Sequence, residues 1–175
     1  MTPSSTPVEI GEDERKLEVR WTATQAVVMR AFQMSRDELL KSMVDGDLPN
    51  PPIGQLLNFE VVEAAPGRAV IELVPDERHE NAIGIVAGGV AGTVLDAAMW
   101  IAVQASLEDK SVVSTVSMSL NFTRKLSKDT GPVRAVAQAV HVGRTIATAE
   151  SWLEDASGRR YAQATASFLR VGGQQ

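Results

Sequence analysis

Cysteine is absent from this chain of 175 residues. That excludes disulfides, cysteine-ligated zinc, iron–sulfur clusters and thiol nucleophiles together. Histidine is scarce: His79 and His141 are the only two, too few for a multi-histidine metal centre, so no metal is expected. A Gly-x-Ser-x-Gly nucleophile elbow is also missing, which leaves a serine acyl-enzyme without support. Basic charge is not in excess: 17 Lys and Arg against 22 Asp and Glu give a net charge of −5, which argues against nucleic acid as a partner. The first residues, Met1 to Pro7, show neither a basic n-region nor an apolar h-region. The longest apolar stretch, Ile83 to Val103, is rich in Gly and Ala and holds Thr93 and Asp96, which suits a buried helix better than a membrane span. A cytoplasmic protein with no membrane partner is expected.

The length fits one domain, which at this size buries roughly 70% of the surface its unfolded chain exposes. Charge is spread unevenly. Residues 1–60 and 61–108 are net acidic, whereas residues 109–175 carry 9 basic against 5 acidic side chains. That positive third could meet a small polyanion.

Residues 1–14 are rich in Pro, Ser and Thr and then acidic, which predicts disorder. Residues 15–52 read as a helical extension with a stiff proline connector. Within it, Ser35-Arg-Asp-Glu38 is a capping box, Gly46 a helix stop, and Pro49-Asn-Pro51-Pro52 the connector. From Phe59 the hydrophobic period changes. Strands are predicted at 59–63 and 68–74 across Pro66-Gly67, then a helix from about Val86 to Leu107. Four strands follow, at 112–123, 132–142, 145–154 and 160–171, with turn residues between them. In the first of the four, Val116, Met118, Leu120 and Phe122 alternate with Ser and Asn. Consecutive strands with short connections form an antiparallel sheet, and one long helix must cover a face of it, an α+β architecture.

That helix carries the chemistry. Asp96 lies near its middle with Gly89, Gly92, Trp100 and Val103 on the turns around it. A buried carboxylate there costs several kcal/mol on a rough scale unless it is hydrogen-bonded. Thr93 or a backbone group would satisfy it in a purely structural reading; small residues on one side and an indole wall on the other describe a pocket holding one acid. Gly88 and Gly89 permit either close helix–sheet packing or backbone N–H groups aimed at a developing oxyanion. Gly88 and Asp96 are eight residues apart, roughly 12 Å along one helix. One reacting carbonyl cannot touch both, whereas two antiparallel copies bring Gly88 of one chain to Asp96 of the other, so the two roles together require a dimer.

The order of two strands, one helix and four strands is similar to the hotdog fold, a long central helix wrapped by a five- to six-stranded antiparallel sheet. The segment His79-Glu-Asn81-Ala-Ile-Gly84-Ile-Val-Ala87-Gly88-Gly89, followed by Asp96, resembles the PaaI-type acyl-CoA thioesterases of that superfamily. Their pattern is H-x-N-x-x-G-x-x-H-G-G with an Asp seven residues on. The resemblance covers residues 53–172 and implies hydrolysis of an acyl-CoA, with coenzyme A entering only as part of the substrate. It makes Asp96 the carboxylate that activates water or attacks the thioester. Gly88 and Asn81 become donors to the thioester carbonyl, and Thr115 the hydroxyl that orients the carboxylate. Gly89, Ala87, His79 and Trp100 fall in the substrate-binding segment, and Arg124, Lys125 and Arg144 in regions that meet CoA phosphates. The family places the Asp and the Gly on different subunits, in dimers that can pair into tetramers. Ala87 departs from the pattern by replacing its second His, which favours the alternative of an acyl-CoA sensor or carrier without turnover. A hotdog hydratase would pair the Asp with a His five residues on; here that position is Ile101.

Overall fold

The computed structural model describes residues 14–172; apart from Glu14, the segment expected to be disordered lies outside the described residues. Four helices and six strands follow in order. They are α1 (Thr24–Ala31), α2 (Arg36–Asp45), α3 (Pro52–Leu57), β1 (Phe59–Ala65), β2 (Arg68–Leu73), α4 (Gly88–Ala105), β3 (Val112–Phe122), β4 (Val133–Val142), β5 (Ile146–Asp155) and β6 (Arg160–Val171).

The extension departs from the expectation in two places. Its helical stretch is two short helices with a break at 32–35, and residues 14–23 are not helical. The proline connector is shorter than expected, because Pro52 opens α3: at the first helical position its missing N–H removes no hydrogen bond. The capping box forms as the spacing predicts. Glu38 N–H donates to Ser35 Oγ at 3.3 Å and Ser35 N–H to Glu38 Oε2 at 2.9 Å. Gly46 ends α2 at φ +78°. Neither helix joins the main core strongly: α1 buries no residue and α2 buries only Leu40.

The six strands form one sheet in the order β1-β2-β4-β5-β6-β3, antiparallel at each pairing. Helix α4 crosses its inner face. Alanines at 135, 137, 147, 149, 164 and 166 pave that face and let the helix approach closely. Leu95 and Met99 of α4 are wholly buried against it, alongside Phe168 and Ile71. Truncating Leu95 to Ala would cost about 2–5 kcal/mol. This is the architecture the hotdog resemblance implies, and the strand limits read from sequence hold to within two residues.

Strand β3 is an edge. Its register against β6 shifts between Thr115 and Ser117, so Val116 occupies a bulge and leaves the alternating row. Thr115, Met118, Leu120 and Phe122 pair with Phe168, Ala166, Ala164 and Ala162, residues that are buried on the helix side of the sheet. Phe122 nevertheless stays 56% exposed and Met118 39%, because α4 does not cover them completely.

Candidate active site

Helix α4 runs alongside β3 in the opposite sense, and one stripe of the helix meets the strand turn by turn. A Cβ on Gly88 would lie 2.7 Å from the Phe122 ring, and one on Gly92 would lie 3.2 Å from Leu120. One turn further, Thr115 Oγ1 donates to Asp96 Oδ1 at 3.0 Å. At the next turn, Trp100 Nε1–H donates to the Val113 carbonyl at 2.8 Å. The stripe Gly88, Gly92, Asp96, Trp100 thus has two chemically distinct ends.

At the first end, α4 starts without a side-chain cap. Ala87 occupies the N-cap position, where no side chain accepts from the helix amides. Val90 N–H reaches the Ala87 carbonyl at 3.0 Å, whereas the N–H groups of Gly88 and Gly89 have no acceptor among the described residues. Absence of a Cβ at Gly88 is a packing requirement as well, since Phe122 fills the space. Two orphan donors at the positive end of the helix dipole are suited to a developing oxyanion.

The loop before α4 holds these amides in place. His79 is 1% exposed. Its Nδ1 accepts from the Asp76 N–H at 3.1 Å, and its Nε2–H donates to the Leu57 carbonyl at 3.0 Å, so the ring ties the loop to α3. The His79 carbonyl then accepts the Ala87 N–H at 2.8 Å. Hydrogen bonds from the Arg78 side chain hold the neighbouring Asp76 carboxyl below its ordinary value. His79 therefore sets the loop from within, away from the surface of the site. Asn81 turns the same loop: its Oδ1 accepts from Ile83 N–H at 3.0 Å and Ile85 N–H at 3.4 Å. Its Nδ2 amide has no acceptor among the described residues.

Asn81, Gly88, Phe122, Arg124, Lys125 and Tyr161 all line one cavity of about 280 Å³. Arg124 is braced by donating from Nη1 to the Arg160 carbonyl at 2.7 Å, and Lys125 is exposed. Tyr161 donates its hydroxyl to Asp155 Oδ2 at 2.9 Å. Desolvation, reinforced by that bond, pushes the phenol up, while Asp155, held chiefly by the Ser157 hydroxyl, is lowered to about 2. The wall is thus a fixed neutral phenol. Phe122 and Tyr161 were not singled out in the sequence; only the alternation in the β3 segment pointed Phe122 inward.

At the second end, Asp96 is half-buried and Thr115 is its one side-chain partner among the described residues. Thr93, the alternative partner in the structural reading, is engaged elsewhere, donating to the Gly89 carbonyl at 2.9 Å. Asp96 does not line the cavity at Gly88, as the helical spacing requires. Arg144 is not brought to that cavity either. It stands in the β4–β5 turn, beside the end of β6 where Arg170 N–H meets the Thr145 carbonyl, while Arg124 lies at the opposite end of that strand.

A family model described as the Thioesterase superfamily matches residues 83–162. The chain is 29% identical over 140 residues to acyl-coenzyme A thioesterase 13 of Homo sapiens, covering 77% of this chain and 94% of that protein. It is 30% identical over 91 residues to ComA2 of Bacillus subtilis (strain 168), covering 52% of this chain and 71% of that one. In fold, the PaaI protein of the E. coli phenylacetic acid degradation operon is similar, with a TM-score of 0.69 at 17% identity, over 80% of this chain and 99% of that chain.

Proposed function

The chain belongs to the thioesterase superfamily, and from that premise we propose that it hydrolyses an acyl-CoA to a carboxylic acid and free CoA at a site shared between two copies. The observation that carries this reading is the stripe on α4, with uncapped amides at Gly88 and Gly89 and a carboxylate two turns away at Asp96. A second copy in the antiparallel sense brings each carboxylate to the other chain's amides. The open edge of β3, with its apolar row beside α4, offers that copy a seat.

In this arrangement Asp96 accepts a proton from water as the water oxygen bonds to the thioester carbon. The carbonyl electron pair moves onto oxygen, where the N–H of Gly88 of the partner subunit and the amide of Asn81 of the partner subunit receive it. Collapse of the tetrahedral intermediate re-forms the carbonyl and breaks the carbon–sulfur bond. The proton held on Asp96 returns to the departing thiolate. Thr115 aims the carboxylate by occupying one of its oxygens. Arg124 and Lys125 line the same cavity as Asn81, which supports a role for them in meeting CoA phosphates. No metal or further cofactor enters. Ala87 removes a side chain from the site but leaves the amides and Asp96 intact, which supports a weakened turnover over its loss.

Free-thiol release from short, long and aromatic acyl-CoAs, with Asp96→Asn alongside, tests the reading. Turnover lost in the variant, with dimers retained on sedimentation, is the expected result. Undiminished turnover in Asp96→Asn would overturn the site.

A further inference from the structure

A second cavity of about 260 Å³ lies between the N-terminal extension and the C-terminal half of α4. Its apolar wall is Phe32, Leu39, Leu40 and Met43 from the extension, with Trp100 and Ile101 from the helix. Arg36, Glu108 and Lys110 also line it, with long stems that leave their charges to water. The hydrolytic step uses none of these residues. Helices α1 and α2 bury a single residue between them, so they roof a gap without closing it into core.

Trp100 links the cavity to the chemistry. It is one turn beyond Asp96, about 6 Å along the helix, and it is the lining residue of α4 nearest that carboxylate. Its N–H is fixed on the Val113 carbonyl, so the ring presents an apolar wall and cannot swing.

We propose that this cavity binds the distal end of a linear saturated acyl chain, making the N-terminal extension the element that selects chain length. The inference rests on the thioesterase reading above. With the thioester carbon at Asp96, an acyl chain long enough to pass Trp100, one helical turn on, reaches this cavity, and dodecanoyl is a probe of that length. A compact aromatic acyl group ends at Trp100 and leaves the cavity empty.

The test compares butanoyl-, dodecanoyl- and phenylacetyl-CoA on the full chain, on Leu39→Trp, which fills the cavity, and on Phe32→Ala, which removes an exposed wall. Circular dichroism melting confirms that each variant folds. The wild type is expected to favour dodecanoyl-CoA over the other two by about tenfold or more in kcat/KM. Leu39→Trp should remove that preference while leaving butanoyl-CoA within about twofold, and Phe32→Ala should lower it several-fold. A flat chain-length profile, unchanged in both variants, would overturn the cavity's role and leave the thioesterase standing. Absence of hydrolysis on every thioester would instead overturn the thioesterase reading. Isothermal titration with dodecanoate then decides the cavity separately: binding weakened by Leu39→Trp supports it, and no binding to the wild type overturns it.

Discussion

The two ends of the α4 stripe are built by opposite means. The amide end is made by omission: no side-chain cap at Ala87, no Cβ at Gly88 or Gly89, and two backbone donors without acceptors among the described residues. The carboxylate end is made by addition. Asp96 is held by Thr115, and the Trp100 ring is pinned to Val113 beside it. Backbone donors tolerate changes of side chain as long as the chain can approach closely. A positioned carboxylate depends on each neighbour. Roughly 12 Å of helix separates the two ends, too far for one reacting carbonyl to touch both within one chain.

The largest effects should come from separating the ends genetically. Asp96→Asn is expected to lower turnover by about 10³-fold. Gly88→Ala should lower it by about 10- to 100-fold, because the new Cβ displaces Phe122 from 2.7 Å and shifts the amide. Mixing the two variants after partial unfolding should restore about a quarter of wild-type activity, since half the dimers are mixed and each has one intact site of two. Activity no higher than that of the separate variants would show that both ends serve the same chain. Next in size is Asn81→Ala, expected to cost about 100-fold in kcat if its Nδ2 completes the donor set. A loss confined to thermal stability would restrict Asn81 to the turn formed by its Oδ1.

Thr115→Val probes the other end with a smaller expected loss, about tenfold in kcat with KM little changed. It removes the hydroxyl and keeps the shape. Because the hydroxyl donates to the carboxylate, its loss should act on kcat alone. An unchanged kcat in the variant would make Thr115 a packing residue.

Much of this was legible in the sequence, for reasons that differ between regions. The strands and α4 follow from periodicity, because the sheet has one buried face and every second residue must obey it. Val116 escaped because a bulge breaks the alternation without changing residue type. Asp96 stood out as the one acid in an apolar helix, and Thr115 came with the family resemblance. Phe122 and Tyr161 did not stand out, since aromatic residues in strands read as ordinary core. The extension was the least legible region. Its helices bury almost nothing, so no strong hydrophobic period marks their limits, and Pro52 reads equally well as a connector or a helix start.

The smallest expected effect bears most directly on construction by omission. Ala is a poor N-cap, and a serine at position 87 has the backbone to serve as one, with φ −60° and ψ 136° already extended. Its hydroxyl would accept from the N–H of Gly89 or Val90 and stabilise the fold by about 1 kcal/mol. Formed to the Gly89 N–H, that bond removes one of the two free donors at this helix start. Ala87→Ser should therefore raise the thermal midpoint while lowering kcat about threefold. If both stability and turnover rise, the free amide of Gly89 has no part in catalysis, and Gly88 alone supplies the backbone donor.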